Sequence, residues 1–185
     1  AGQGRSVPNK ALTPRVLGII LARGGSKRLP RKSLLPLAGN PLIAYTVRAA
    51  LSSRLLDRTV LSTDSPEIAD VAREYGAEVP FMRPAELATD TIPSSDALIH
   101  AVRWLEENEG YLPDYILALQ ATSPLRTPLD IDKAITIATE NDASAVVAVC
   151  ESHYHPYLAK RITESGKLLD FVQPDKEYSS LQEMP

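Results

Sequence analysis

The chain has 185 residues, with 20 Lys and Arg against 23 Asp and Glu, 44% hydrophobic residues, nine Gly, 15 Pro and one Cys. That composition suits an ordinary soluble globular domain and excludes a disordered chain, a collagen-like repeat and a disulfide scaffold. Charge is segregated along it: residues 1–56 carry ten cations and no carboxylate, so the other ten cations and all 23 carboxylates follow Leu56.

Residues 1–14 carry Arg5 and Lys10 but no apolar segment of signal-peptide length, so they read as a disordered leader ahead of a single domain, 15–185. No stretch approaches the roughly 18 to 20 apolar residues that span a bilayer, so no membrane partner is expected. Lone Cys150 cannot close an internal disulfide, which fits a reducing, cytoplasmic location.

The continuous apolar run 16–22 predicts a central parallel strand buried on both faces. Asn40 then caps a helix with Pro41 at its first position and Ile43, Val47, Ala50 and Leu51 on one face. A short strand at 59–62 leads to Ser65-Pro66, which opens a second helix stopping at Gly76. Residues 78–82 are strand-like, and Ser94 or Ser95 caps a helix with Leu98, Ala101, Val102 and Leu105 on one face. Another apolar strand spans 114–119, and Thr127-Pro128 caps a helix carrying Ile131, Ile135 and Ala138. A further strand at 145–150 ends in a core Cys150. Beyond it, segments 158–162 and 168–172 flank Glu164-Ser165-Gly166-Lys167, a hairpin turn. Strands alternating with helices of this length predict α/β architecture: a single doubly wound, mostly parallel sheet with a C-terminal hairpin extension.

Chemistry is expected at the carboxyl ends of the parallel strands. There the sequence places Arg23, Lys27, Arg28, Arg31 and Lys32 around Gly24 and Gly25, directly after the first strand. Glycines let backbone N–H groups approach an anion, Arg supplies a planar fork and Lys a compact charge, so a small polyphosphate is the expected ligand. Nucleic acid is not, because the pI is near 5.7 and aromatic residues are few. The spacing matches neither G-x-G-x-x-G nor G-x-x-x-x-G-K-[ST]. His153 and His155 lack a third ligand at suitable spacing and read as loop residues. Asp64 and Asp90 read as residues that cap helices or order loops, and Tyr75 and Trp104 as packing.

Several blocks together resemble one family, the CMP-sugar synthetases of sialic acids and related nonulosonic acids, or acylneuraminate cytidylyltransferases. Leu21-Ala22-Arg23-Gly24-Gly25-Ser26-Lys27-Arg28-Leu29-Pro30-Arg31-Lys32 resembles its opening signature. Leu37-Ala38-Gly39-Asn40-Pro41-Leu42-Ile43, Ser62-Thr63-Asp64-Ser65, Arg83-Pro84-Ala85-Glu86-Leu87-Ala88-Thr89-Asp90 and Leu119-Gln120-Ala121-Thr122-Ser123-Pro124-Leu125-Arg126 resemble later blocks in the same order. The resemblance implies a Rossmann-like nucleotidyltransferase that moves a cytidylyl group from CTP to the anomeric hydroxyl of a nonulosonic acid, with Mg²⁺ assistance. It implies Arg23 and Lys32 as the catalytic cations that stabilise the transition state. Leu21, Ala22, Gly24, Gly25, Ser26 and Lys27 would complete the nucleotide cradle, with Arg83, Ile92 and Ser94 at the cytosine. Gln120, Thr122, Ser123 and Arg126 would stand at the acceptor sugar.

Two departures qualify the match. Ser33 stands where the family usually has Asn, at the nucleotide's ribose or base. The block Leu181-Gln182-Glu183-Met184-Pro185 has Leu in place of Arg, and the family portion that follows it, with its metal-holding Asp pair and dimer elements, is not among these residues. The expectation is therefore a nucleotidyltransferase domain lacking that portion, with no metal ligand assigned and a homodimer expected where the portion is present. Two alternatives stay open: another sugar nucleotidyltransferase, such as a Kdo cytidylyltransferase, or a CTP-binding but catalytically incomplete domain.

Overall fold

Continuous apolarity commits the first strand to the interior. In a computed structural model, which describes residues 14–27, 29–151 and 156–172, β1 (Val16–Leu21) runs buried between two parallel neighbours. These are β4 (Arg58–Ser62) and β5 (Tyr115–Gln120), in the order β4-β1-β5, with Ile19 opposite Val60 and Ala118. Between β1 and β4 the chain forms a 3-10 turn, Lys32–Leu34, and a two-stranded hairpin of β2 (Pro36–Leu37) and β3 (Asn40–Pro41). Ala38 and Gly39 close that hairpin with φ of 45° and 83°. This left-handed pair explains the glycine.

Helix α1 (Leu42–Leu51) follows, one residue later than the sequence suggests. Asn40 is not its cap: it pairs with Leu37 in the hairpin, and its side chain accepts from Arg48 Nη2 at 3.0 Å. The other start signals are local and hold better. Ser65 caps α2 (Pro66–Glu74), accepting from the Ile68 N–H, and Gly76 follows the helix at φ 93°. Thr127 and Asp130 form a reciprocal capping box on α4 (Pro128–Glu140). Helix α3 (Ser94–Glu109) starts at Ser94 itself, with Pro93 at the cap position and no side-chain cap, so neither Ser94 nor Ser95 caps it.

Helices cover the sheet on both faces. Val16, Ile20, Leu61 and Leu119 pack with Ile43 of α1, Ile68 of α2 and Ile131 and Ile135 of α4. On the opposite face, Leu17, Ile19 and Val60 pack with Phe81 and with Ala101 and Leu105 of α3. Alternation along β1 distributes its side chains between the two cores. Trp104 lies 5.3 Å from Phe81, and Tyr75 lies under Arg48 at 5.0 Å, so both aromatics are packing residues.

Two expected strands are absent from the described residues. Residues 78–82 run beside β4 but make only a single bridge, Val60 to Glu78, because Pro80 has no N–H to continue a ladder. Residues 145–150 are irregular and exposed, and Cys150 is exposed rather than in the core. An apolar run can become a strand only where a ladder partner is free to take it. The chain divides into two compact units, one ending at Val146 and one starting at Val147. The second holds the 3-10 turn Pro156–Leu158 and the expected hairpin, β6 (Lys160–Ile162) paired antiparallel with β7 (Leu168–Asp170). Residues 1–13 of the expected leader, Arg28, His153, His155 and the block 181–185 lie outside the described residues. Among the described residues no helix is long and apolar enough to cross a membrane.

Candidate active site

Three parallel strands end on one side of the sheet, and the loops leaving them enclose a cavity of about 640 Å³. Leu21 and Ala22 reach it from the end of β1, and Gln120, Ala121 and Thr122 from the end of β5. The third contribution comes through Arg83. Its guanidinium is tied to the last residue of β4, donating from Nε to Ser62 Oγ at 2.9 Å and from Nη2 to the Ser62 carbonyl at 2.5 Å. Its backbone N–H also donates to the Thr63 carbonyl at 2.7 Å. Arg83 is buried, and burial lowers its pKa while Asp64 opposes that shift.

Of the residues expected from the sequence, Leu21, Ala22, Arg23, Ser26, Lys27, Lys32, Ser33, Arg83, Ile92, Ser94, Gln120 and Thr122 all line this cavity. Residues as far apart in the chain as Leu21 and Thr122 thus meet around one volume because the strands are parallel and adjacent. Ser33 is 4% exposed, on the short 3-10 turn that also carries Lys32.

Gly24, Gly25, Ser123 and Arg126 do not line the cavity. The Gly24 N–H donates to Asp64 Oδ1 at 2.9 Å, so it is engaged by the protein rather than open to a phosphate. A Cβ on Gly24 would lie 3.1 Å from Ser65 Cβ, so glycine here permits close packing of the loop on the start of α2. Ser123 sits in a turn, its N–H reaching the Gln120 carbonyl at 3.3 Å and its carbonyl accepting from Arg126 N–H at 3.3 Å. The Arg126 side chain is partly buried, its pKa lowered by burial, and its Nη1 has no hydrogen-bond partner among the described residues.

The lining also includes residues that sequence reasoning did not place there: Leu29, Leu87, Thr89, Asp90, Pro93, Ala97 and Ala121. Asp90 matters most. Arg23 Nη2 lies 2.5 Å from Asp90 Oδ1, Lys27 Nζ pairs with Oδ2, and Arg23 Nη1 donates to the Thr89 carbonyl at 2.9 Å. Hydrogen bonds from Lys27 and then Arg23 hold the Asp90 carboxyl below the usual carboxylate range. No local signal marks it, because Asp90 lies 58 positions beyond Lys32 and only the fold brings it to these cations.

A metal finds less support. Among the described residues no group of three or more His, Cys, Asp and Glu side chains could hold an ion, and both Asp90 oxygens face cations. No Mg²⁺ ligand is therefore assigned among the described side chains, and no chemical step is routed through the ion.

A cationic pocket at the carboxyl ends of a parallel sheet, walled by loops and the start of a helix, defines a nucleotide-handling α/β domain. A profile of the cytidylyltransferase family matches residues 17–180, and the chain belongs to that family. It is 43% identical to a CMP-N,N′-diacetyllegionaminic acid synthase from Legionella pneumophila, over 84% of this chain and 66% of that protein. It is 37% identical to a pseudaminic acid cytidylyltransferase from Campylobacter jejuni, over 89% of this chain and 69% of that protein. The chain thus spans about two thirds of the length of these relatives. Among solved structures, a CMP:2-keto-3-deoxy-manno-octonic acid synthetase complexed with CTP superposes with a TM-score of 0.58 at 25% identity, covering 70% of this chain and 49% of that one.

Proposed function

We propose that the protein transfers a cytidylyl group from CTP to the anomeric hydroxyl of a sialic-acid-like nonulosonic acid, releasing pyrophosphate. The observation that carries this reading is the convergence of Arg23, Lys27, Lys32 and Arg83 on one cavity at the strand ends. In the reaction, the sugar oxygen bonds to the α-phosphorus, the bond to the pyrophosphate oxygen breaks and the hydroxyl proton is released. The barrier is mainly charge and geometry, so fixed cations supply most of what is needed.

Arg23 and Lys32 neutralise charge on the transferring phosphoryl and the leaving pyrophosphate, with Lys27 and Ser26 beside them. Arg83, Ile92 and Ser94 form the wall that takes the cytosine, and Gln120 and Thr122 face the acceptor. Ser123 and Arg126 support that corner through its turn. Mg²⁺ enters as a companion of the triphosphate rather than as a ligand of the described side chains. The names of the relatives favour a nonulosonic acid as acceptor. The likeness to a 2-keto-3-deoxy-manno-octonic acid synthetase favours that shorter ketosugar acid as the second reading. We extend the proposal to a homodimer where the family's C-terminal portion is present, supported by the exposed Val147, Val149, Ile162 and Phe171 of the second unit, and to a cytoplasmic location, which lone Cys150 favours.

Thermal unfolding in Mg²⁺ with each of CTP, UTP, ATP and GTP tests the nucleotide site. A ligand at about 100 times its Kd stabilises the folded state by ~2.7 kcal/mol, and the rise is expected with CTP alone. Pyrophosphate release with a panel of nonulosonic acids and Kdo then separates the two acceptors. Binding of CTP without turnover on any of them would mark a catalytically incomplete domain, and no shift with any nucleotide would refute the reading.

A further inference from the structure

Two of the cations that line the cavity, Arg23 and Lys27, share one carboxylate, and the geometry points to Asp90 as an internal anion that the nucleotide must displace. Asp90 bridges Arg23 and Lys27, while the neighbouring Thr89 carbonyl takes a second donor of Arg23. Its carboxylate and the Arg23 side chain are each about one-third exposed, at 36% and 35%, so both remain within reach of an incoming ligand. Lys32, on the same cavity, has no ion-pair partner among the described residues. A ligand that offers phosphate oxygens to Arg23 and Lys27 competes directly with Asp90 for the same donors.

Two consequences follow, both of which rest on the triphosphate reading of this pocket. The first is selectivity. A carboxylate bridging two cations sets a threshold that a single phosphate meets poorly, whereas a triphosphate carries enough charge to replace both pairs and to engage Lys32 as well. The second is coupling. Asp90 lies in the loop that leads into Ile92, Pro93 and Ser94 of the same cavity wall, so releasing it frees the segment proposed to take the base. Asp90 is thus a positioning and selectivity residue.

The test is calorimetric titration of the protein and its D90N and D90E variants with pyrophosphate, CTP and CMP. Asp90 is exposed and D90N preserves its shape, so folding is expected to persist, checked by unfolding temperature. Relieving the Asp90 pairs tightens pyrophosphate and CMP binding about 3- to 10-fold in D90N. CTP, which displaces both pairs, gains at least as much, and D90E, which keeps the charge, stays within about twofold of the parent. A residue that merely ordered the loop would instead weaken all three ligands in D90N. That result, or unchanged affinities while the parent binds CTP, overturns the counter-ion role alone. Failure of the parent to bind CTP or pyrophosphate overturns the triphosphate reading together with it.

Discussion

Replacing Arg23 with Ala separates catalysis from stability, because this side chain is well placed for the reaction but adds little to the fold. It makes an ion pair with Asp90 at 2.5 Å and donates to the Thr89 carbonyl at 2.9 Å, with its side chain 35% exposed. Pairs of that exposure contribute little to stability, so R23A is expected to unfold cooperatively near the parent temperature. The proposed reaction is different, since charge develops there on the phosphate oxygens that Arg23 is proposed to meet. Removing one preorganised donor of this kind costs on the order of 3 kcal/mol, or about 100-fold in turnover. R23K keeps the charge but loses the two-pronged geometry, and about 10-fold loss is expected. The assay is CTP-dependent pyrophosphate release with a nonulosonic acid, beside a thermal melt of each variant. Turnover in R23A within a few-fold of the parent would refute the phosphate role, and a collapsed melt would refute the claim that Arg23 is structurally dispensable.

Arg83 should behave in the opposite way, since its guanidinium is buried and holds Ser62 at the end of β4. R83A is expected to destabilise the protein by about 2 kcal/mol, the scale of losing hydrogen bonds to a charged group, and to weaken CTP binding; an unchanged melting temperature would refute its anchoring role. T127A removes the cap of α4 and should cost ~1 kcal/mol in denaturant titrations at neutral pH. Hydrogen bonds from the Thr127 N–H and hydroxyl hold the Asp130 carboxyl below its usual range, so their contribution is complete above the ordinary carboxylate pKa. It is lost as pH falls through the lower folded-state value, and the gap between parent and T127A should therefore narrow below about pH 4.

What was legible in the sequence was what is locally encoded. The apolar run of β1, the Ser65-Pro66 and Thr127-Pro128 helix starts and the stop at Gly76 each depend on a few adjacent residues, and each stands where expected. What failed depended on distant partners. The run 145–150 has strand-forming side chains, yet whether a ladder edge receives it is decided elsewhere in the chain. Residues 78–82 looked similar, but Pro80 limits their pairing with β4 to a single bridge. The site shows the same division. The cations of the first loop were visible as a cluster, and the family resemblance put Gln120 and Thr122 at the same site, where both line the cavity. Asp90 was read as a loop residue because nothing local shows that its carboxylate reaches across to Arg23 and Lys27. The opposite error concerns Gly24, whose N–H looked free for phosphate but is held by Asp64, 40 residues away.

The start of α3 explains why a poorly capped helix is useful here. Its first residue is Ser94, the preceding Pro93 offers no capping side chain, and Pro93, Ser94 and Ala97 all line the cavity. The first N–H groups of a helix lack internal partners and carry its positive dipole end, so leaving them uncapped beside a pocket adds to a field that attracts anions. A serine at the cap position, as the sequence suggested, would spend its oxygen on those donors. In its observed place, as the first helical residue, Ser94 leaves its hydroxyl to the cavity. The same loop carries Asp90, which compensates Arg23 and Lys27 until a ligand arrives. Cations and an uncapped helix start thus line one cavity and act on the same anion, and the one lining carboxylate stands on two of the cations that anion must take.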